Sequence, residues 1–544
     1  MNYKLKHSLA IFALALLPSL GIFAQEVKIQ DFSYRSFSGV KPLNNYQGYY
    51  LSYFGEKTEN KGMANYIIEV YDANLKQAAK TTVEVTKYSE VVASAFDGTY
   101  FLFAFRDQMK RTLTYVTLDK TGKQVGQRVV EKVKVSLDNP TVLSIGNGEF
   151  LVLQPVKENK VGYQLEKIDQ TFASKYTKTY TPDKRKWYLI DAEFKNNKLY
   201  IIRKNANWGD QFEEEVVCYD TQSGEEVYAH SLYDGNNSGL PSFLQVTDQG
   251  EVATGGMYFK GNEFDDKNSD GIFSVVLDAQ GKVKGQQQTP WKVIQDKIKS
   301  DMALGALISG KSKVFIHDMV MNNDGSFSII GENFRKSSAA MSGNFAMKMA
   351  MGGGAGDGIG FTIEDFVIFN FDTKGTLTTI DRIEKTAKEI VVKQTSTEKV
   401  AYKGLELALK LNAADQFPYQ YVVEHNQKPH LVYINNEGLR DKAYFLPLGS
   451  KTSKDIPSID LQYEYFAVSD GLSKTMAGLQ KLTGNQQTVY LDSWGHVEDN
   501  QSLLRGVLPA GNGKMLIYKY DYTPDSKGLK LWIESIPSSN LGQK

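Results

Sequence analysis

The sequence predicts an all-β fold, a β-propeller of about eight four-stranded blades closed by an N-terminal strand, and three observations predict it. The first is a recurring phrase of alternating apolar residues that runs into Asp or Asn, then a turn, often closed by Gly. Its acidic or amide position falls at Asp72, Asp119, Asp169, Asp220, Asp278, Asp372, Asn435 and Asp492. The second is another set of turns between these: Asp97-Gly98, Gly146-Asn147-Gly148, Asn196-Asn197, Asp248-Gln249-Gly250, Asn323-Asp324-Gly325 and Gly511-Asn512-Gly513. The third is 12% aromatic content, with 31 Tyr and 28 Phe, residue types that pack well on a pleated, half-buried surface.

The N-terminus comes first in order. Lys4 and Lys6 precede an almost unbroken apolar run from Ser8 to Phe23, followed by Ala24. This is the layout of a secretory signal peptide over 1–24, with cleavage expected after Ala24 and a periplasmic or secreted product. The run contains Pro18 and Gly21 and falls short of the ~20 residues that span a bilayer. No later stretch is long and apolar enough to span, so no transmembrane segment is expected once the leader is removed.

Residues 25–544 then read as one propeller. Asp or Asn at the first turn position bonds back to following amides, and Gly takes the left-handed conformation that lets the next strand leave in register, so each phrase is expected to be a β-hairpin. Asp72, Asp119, Asp169, Asp220 and Asp278 lie 47, 50, 51 and 58 residues apart, and the later steps of 94, 63 and 57 are stretched by insertions. Two hairpins fit in about 50 residues, the size of one blade. At the far end, Lys514–Tyr520 and Leu529–Ser535 resemble the second and third strands of a last blade. Glu26–Tyr34 has the alternation to supply its fourth strand and remove an open edge.

Two segments interrupt the pattern. Residues 290–313 are charged and loosely amphipathic, and residues 335–360 are a run of Ser, Ala, Met and Gly too poor in large apolar residues to pack alone, expected as a surface loop. Lys403–Phe417 fits two readings: Leu405, Leu407, Leu409 and Leu411 alternate as in a strand, while the Ala content suits a short helix.

Motifs that carry chemistry are few. Gly305 to Ser312 matches the phosphate-binding loop letter for letter, but the residues after it, Val314–Val320, read as a strand where that chemistry needs a helix N-terminus. Asp266, Asn268 and Asp270, with Gly271 at the sixth position, open like a calcium loop; Leu277 stands where a bidentate Glu is wanted, so a solvated acidic turn is the competing reading. Calcium is thus a cofactor the residues suggest, and none is required. Met347, Met349 and Met351 alternate in the second insertion, where soft thioethers suit an adaptable partner contact or Cu(I). Cys218 has no internal disulfide partner and reads as a buried strand residue. The six histidines form no metal-binding spacing and read as surface or satisfied groups. No catalytic residue is assigned.

The 63 Lys and Arg balance 63 Asp and Glu, which argues against a nucleic-acid groove. The junction at Phe23-Ala24-Gln25, the Leu-Asp-x-x-Gly hairpins and the phrase Val276-Leu277-Asp278-Ala279-Gln280-Gly281-Lys282 resemble exported β-propeller proteins of Gram-negative bacteria in families of unknown function. The resemblance implies a fold and a compartment, and no functional residues. The expectation is a monomeric, non-catalytic binding module in the cell envelope, presenting the channel mouth and its insertions to a protein or a glycan. The alternative is a glycan-active hydrolase or lyase with carboxylates from several blades at the central funnel.

Overall fold

Eight sheets follow one another along the chain, seven antiparallel sheets of four strands and one of six, five of them along its main path and one paired beside it. The computed structural model describes residues 26–536 apart from 34–35, 44–46, 134–138, 158–160, 183–185, 207–211, 266–268, 299–312, 323, 339–357, 374, 395–401, 426, 438–439, 450–455, 462–485, 492–504, 512 and 524–525. Blades 1 to 7 are built on residues 41–86, 89–130, 141–180, 186–231, 237–290, 313–383 and 419–460, and blade 8 on 505–535. Blade 8 takes its outermost strand from Glu26–Gln30, which pairs with Ser526–Ser535 in the register Glu26 to Trp532 and Ile29 to Leu529. The predicted closure is therefore present.

Blade stacking explains the apolar runs. A sheet buried on both faces needs no polar alternation, and in Tyr100–Asp107 every residue after Tyr100 is buried. Outermost strands, with fewer neighbours, return to alternation: Glu226–Ser231 reads exposed and half-buried in turn. Separate apolar clusters fill the gaps between adjacent blades, such as the one joining Tyr66 and Val83 of blade 1 to Phe101, Phe103 and Phe105 of blade 2.

Antiparallel order divides the connections between two faces. The first-to-second and third-to-fourth hairpins of each blade lie on one, here the turn face; the second-to-third hairpins and the links between blades lie on the other. The Asp phrases at 72, 119, 169, 220, 278 and 372 all close third-to-fourth hairpins. In each the carboxylate accepts backbone N–H bonds from residues further along, as Asp278 does from Gln280 at 2.9 Å and Lys282 at 2.8 Å. Two phrases depart from this. The one at Asn435 lies on the second strand of blade 7, Lys428–Glu437, ahead of the second-to-third connection. The one at Asp492 follows Gln486–Leu491, which belongs to no blade hairpin and pairs in parallel with Lys388–Gln394. Turn chemistry is local and does not specify which hairpin it closes.

The insertions gather on the face opposite the turns, around blades 5 to 8. Helix α1 (Trp291–Ile298) follows blade 5 and buries Ile294 and Ile298. The ends of the 335–360 segment, expected as a surface loop, extend the second and third strands of blade 6 to Ser338 and from Ile359, and 339–357 lie outside the described residues. Lys388–Gln394 and Gln486–Leu491 add to that extension. Helix α2 (Gly404–Ala413) packs against it, and its buried Leu405, Leu407, Ala408 and Leu411 decide the open reading of 403–417 in favour of a helix. Among the described residues no helix is long and apolar enough to cross a membrane.

Candidate functional site

A cavity of about 210 Å³ opens on the insertion face where the innermost strands of blades 7, 8 and 1 begin. Lys41 starts the innermost strand of blade 1, Arg505 that of blade 8, and Tyr421 stands near the start of that of blade 7. Lys388, from the added strand, and Asp415 and Phe417, from the link between blades 6 and 7, complete the wall, with Tyr518 behind.

Local structure places each group. Helix α2 ends in a Schellman motif: Gln416 N–H bonds Leu411 O at 2.9 Å and Asp415 N–H bonds Asn412 O at 3.0 Å. Asp415 occupies the left-handed position of that motif at φ 53°, where Gly is the usual residue. The turn delivers its carboxylate to the cavity, and Asp415 is exposed yet raised in pKa by desolvation, partly offset by Lys41. Exposure combined with desolvation is what a concave wall produces. Lys388 Nζ donates to Gln416 O at 2.6 Å, tying the added strand to the same turn. Tyr421 donates to Val507 O at 3.1 Å, and Arg505 is ion-paired to Asp441 of blade 7. Burial raises the Tyr518 phenol, and the Asp415 charge adds to the shift.

Behind this wall lies a buried ionic cluster. Glu332, on the second strand of blade 6, is fully buried and receives His317 Nε2 at 3.0 Å and Lys385 Nζ at 3.2 Å. Burial pushes its carboxyl upward, but Lys385 and His317 outweigh that and hold it below the ordinary range. Tyr419 of blade 7 stacks on the His317 ring at 4.7 Å and donates its hydroxyl to Asp318 at 2.6 Å. Gln245 of blade 5 donates to the other Asp318 oxygen at 3.0 Å. Blades 5, 6 and 7 and the root of the insertion are thereby joined.

Two further acids share the innermost strand of blade 4. Asp191 and Glu193 both have pKa values raised chiefly by desolvation, and Asp191 is exposed. A bulge between Leu189 and Asp191, repeated between Ile316 and Asp318 in blade 6, sets the direction of these side chains.

The structure places the residues singled out in the sequence as follows. Cys218 is fully buried, and burial raises its thiol to about 11. His317 is buried, with Nε2 3.0 Å from Glu332. Asp270 accepts Lys260 N–H at 2.8 Å, while Asp266 and Asn268 lie outside the described residues. Met347, Met349, Met351 and the Gly305–Ser312 loop also lie outside them; the strand expected after that loop is present as Lys313–Met321. The cavity groups were not foreseen. Lys41, Lys388, Asp415 and Arg505 are scattered over more than 460 positions and share no spacing; the only local signal was the helix-ending sequence at 411–416.

A family model described as a family of unknown function (DUF6770) matches residues 5–444. No curated protein matches the chain. Among solved structures, the polysaccharide lyase Uly1 is similar at 10% identity over 94% of this chain and 100% of that one, with a TM-score of 0.41. A quinohemoprotein alcohol dehydrogenase from Pseudomonas putida is similar at 10% identity over 96% and 80%, TM-score 0.39. The WD40 domain of SCAP from fission yeast gives 8% identity over 94% and 97%, TM-score 0.37.

Proposed function

We propose that this chain, which belongs to the DUF6770 family of unknown function, is a binding propeller of the cell envelope that takes a protein or glycan partner at its channel mouth. The observation that carries this reading is the convergence of three inner strands and the insertions on one cavity, while the connections of the opposite face, 448–457 of blade 7 apart, are short. Lys41, Lys388 and Arg505 give that mouth charge; Tyr421 gives it aromatic character. Export by the leader ending at Ala24 belongs to the same reading.

Its test is binding of the purified 25–544 chain to an array of envelope glycans and to envelope protein extracts. Lys41→Glu on the insertion face should abolish capture, and Lys195→Glu, beside the turn face, should leave it intact. Equal effects of the two substitutions, or of neither, count against the reading.

One observation favours a second reading, hydrolysis of a glycan. Asp191 and Glu193 are two residues apart on one strand, so their side chains share a face roughly 7 Å apart at the backbone. Both are desolvated, as a general acid requires. Release of reducing ends from an envelope glycan, lost in Glu193→Gln, would establish this reading in place of the first.

A further inference from the structure

The cavity has a size and a charge that narrow the ligand. Its volume of about 210 Å³ lies below the ~300 Å³ at which sites for drug-sized molecules begin, so what enters it is about one ring. Three cationic side chains and one carboxylate line it; Arg505 is set against Asp441 and Lys388 donates to Gln416 O at 2.6 Å, so the lining as a whole carries more positive than negative charge. Lys41 and Lys388 come from different parts of the chain and are brought to one wall by the blade 1 strand and the added strand. Tyr421 adds aromatic surface to that wall.

We infer that the cavity takes a single acidic sugar ring, a hexuronate unit of a carboxylated glycan, with Lys41 and Lys388 facing its carboxylate. This deepens the binding reading above and rests on it. A carboxylate between two ammonium groups in a concave, partly desolvated site gains more than the same contact on an open surface. The sugar ring fills the remaining volume and offers its C–H face to Tyr421. An aspartate or glutamate side chain of a protein partner carries the same charge but leaves most of that volume empty. Asp415, held at the left-handed position of its turn, opposes the ligand charge. It sets the selectivity: a monoanionic ring is accepted and a more highly charged one is disfavoured.

The experiment is calorimetric titration of the 25–544 chain with D-glucuronate, D-galacturonate, D-glucose and N-acetylglutamate. Either uronate should bind at least tenfold more tightly than glucose and than N-acetylglutamate. Lys41→Gln with Lys388→Gln should weaken uronate at least tenfold. Asp415→Asn should strengthen it several-fold, a gain that misfolding cannot produce. Glucose binding as well as glucuronate overturns the inference, as does N-acetylglutamate matching it, or Asp415→Asn weakening it. If the arrayed partner is still lost in Lys41→Glu but is not displaced by uronate, this inference fails and the binding reading stands. If no capture depends on Lys41, both fail.

Discussion

Gly281 in the third-to-fourth turn of blade 5 lies against the ring of Tyr228 on the outermost strand of blade 4, where an added Cβ would stand 2.4 Å from Tyr228 Cγ. The same joint recurs around the ring. Gly224 of blade 4 meets Tyr176 of blade 3, and Gly122 of blade 2 meets Thr81 of blade 1. The repeated Gly thus serves twice, as the residue that accepts φ 80° at position 281 and as the point where one blade docks on the previous one.

Those two roles are separable by substitution. Gly281→Ala should cost the left-handed penalty of about 1 kcal/mol plus the ~1 to 3 kcal/mol of an overpacked contact. Gly325→Ala, at φ 84° and with no neighbour of its Cβ nearer than 3.8 Å, should cost only the first. Urea unfolding of the two variants checks this; equal losses would mean that the turn matters and the joint does not.

Ring closure rests on five residues. Ile29 is buried opposite Leu529, and Glu26 pairs with Lys530 at 2.9 Å. Ile29→Ala should destabilise by roughly 2 to 5 kcal/mol. Removing 26–30 leaves the edge of Ser526–Ser535 unpaired, a template for pairing with another chain. Concentration-dependent self-association of that truncated protein, measured by light scattering, is the expected result; a monomer of unchanged melting temperature would show that the clasp is dispensable.

The Glu332 cluster makes a different prediction. Lys385→Met leaves a buried carboxylate short of its main counter-charge and should cost about 3 to 5 kcal/mol, while Lys385→Met with Glu332→Gln recovers much of the loss. Because Glu332 is held below its unfolded pKa, its stabilising contribution is present above the unfolded value and is lost as pH falls through the folded one. In Lys385→Met the acid-induced loss should move to higher pH. Additive costs for the two substitutions would show that the groups are not coupled.

The blade count, the clasp and the strand pattern were legible because they follow from local chemistry: turn residues with fixed offsets, and apolar runs whose length matches a strand. The helix at Gly404–Ala413 was not, since Leu405, Leu407, Leu409 and Leu411 satisfy period two as well as a helical face, and only burial against Phe334 and Phe361 decides. The pairing of Gln486–Leu491 was invisible for another reason: a parallel partner needs no turn, so the strand, legible as one, carries no mark of what it pairs with. The cavity depends on the ring itself. Lys41 and Arg505 become neighbours only when blade 1 meets blade 8.

Glu214, on the third strand of blade 4, gives the sharpest pH prediction. It is 1% exposed, neither carboxylate oxygen has a hydrogen-bond partner among the described residues, and burial raises its pKa to about 8 against the opposing charge of Lys204. In the unfolded chain the group ionises near 4.5. Between these values the folded protein keeps a proton that the unfolded chain has lost. The stability associated with the neutral acid is complete below 4.5, declines by up to 1.36 kcal/mol per pH unit, and is gone above 8. Glu214→Gln mimics the neutral form at every pH. Its stability should therefore match the parent at pH 4.5 and exceed it by several kcal/mol, on the order of 5, at pH 9. Urea midpoints taken from pH 4.5 to 9 read this directly, and parallel curves for the two proteins would show that Glu214 is ionised in the fold and has a partner there.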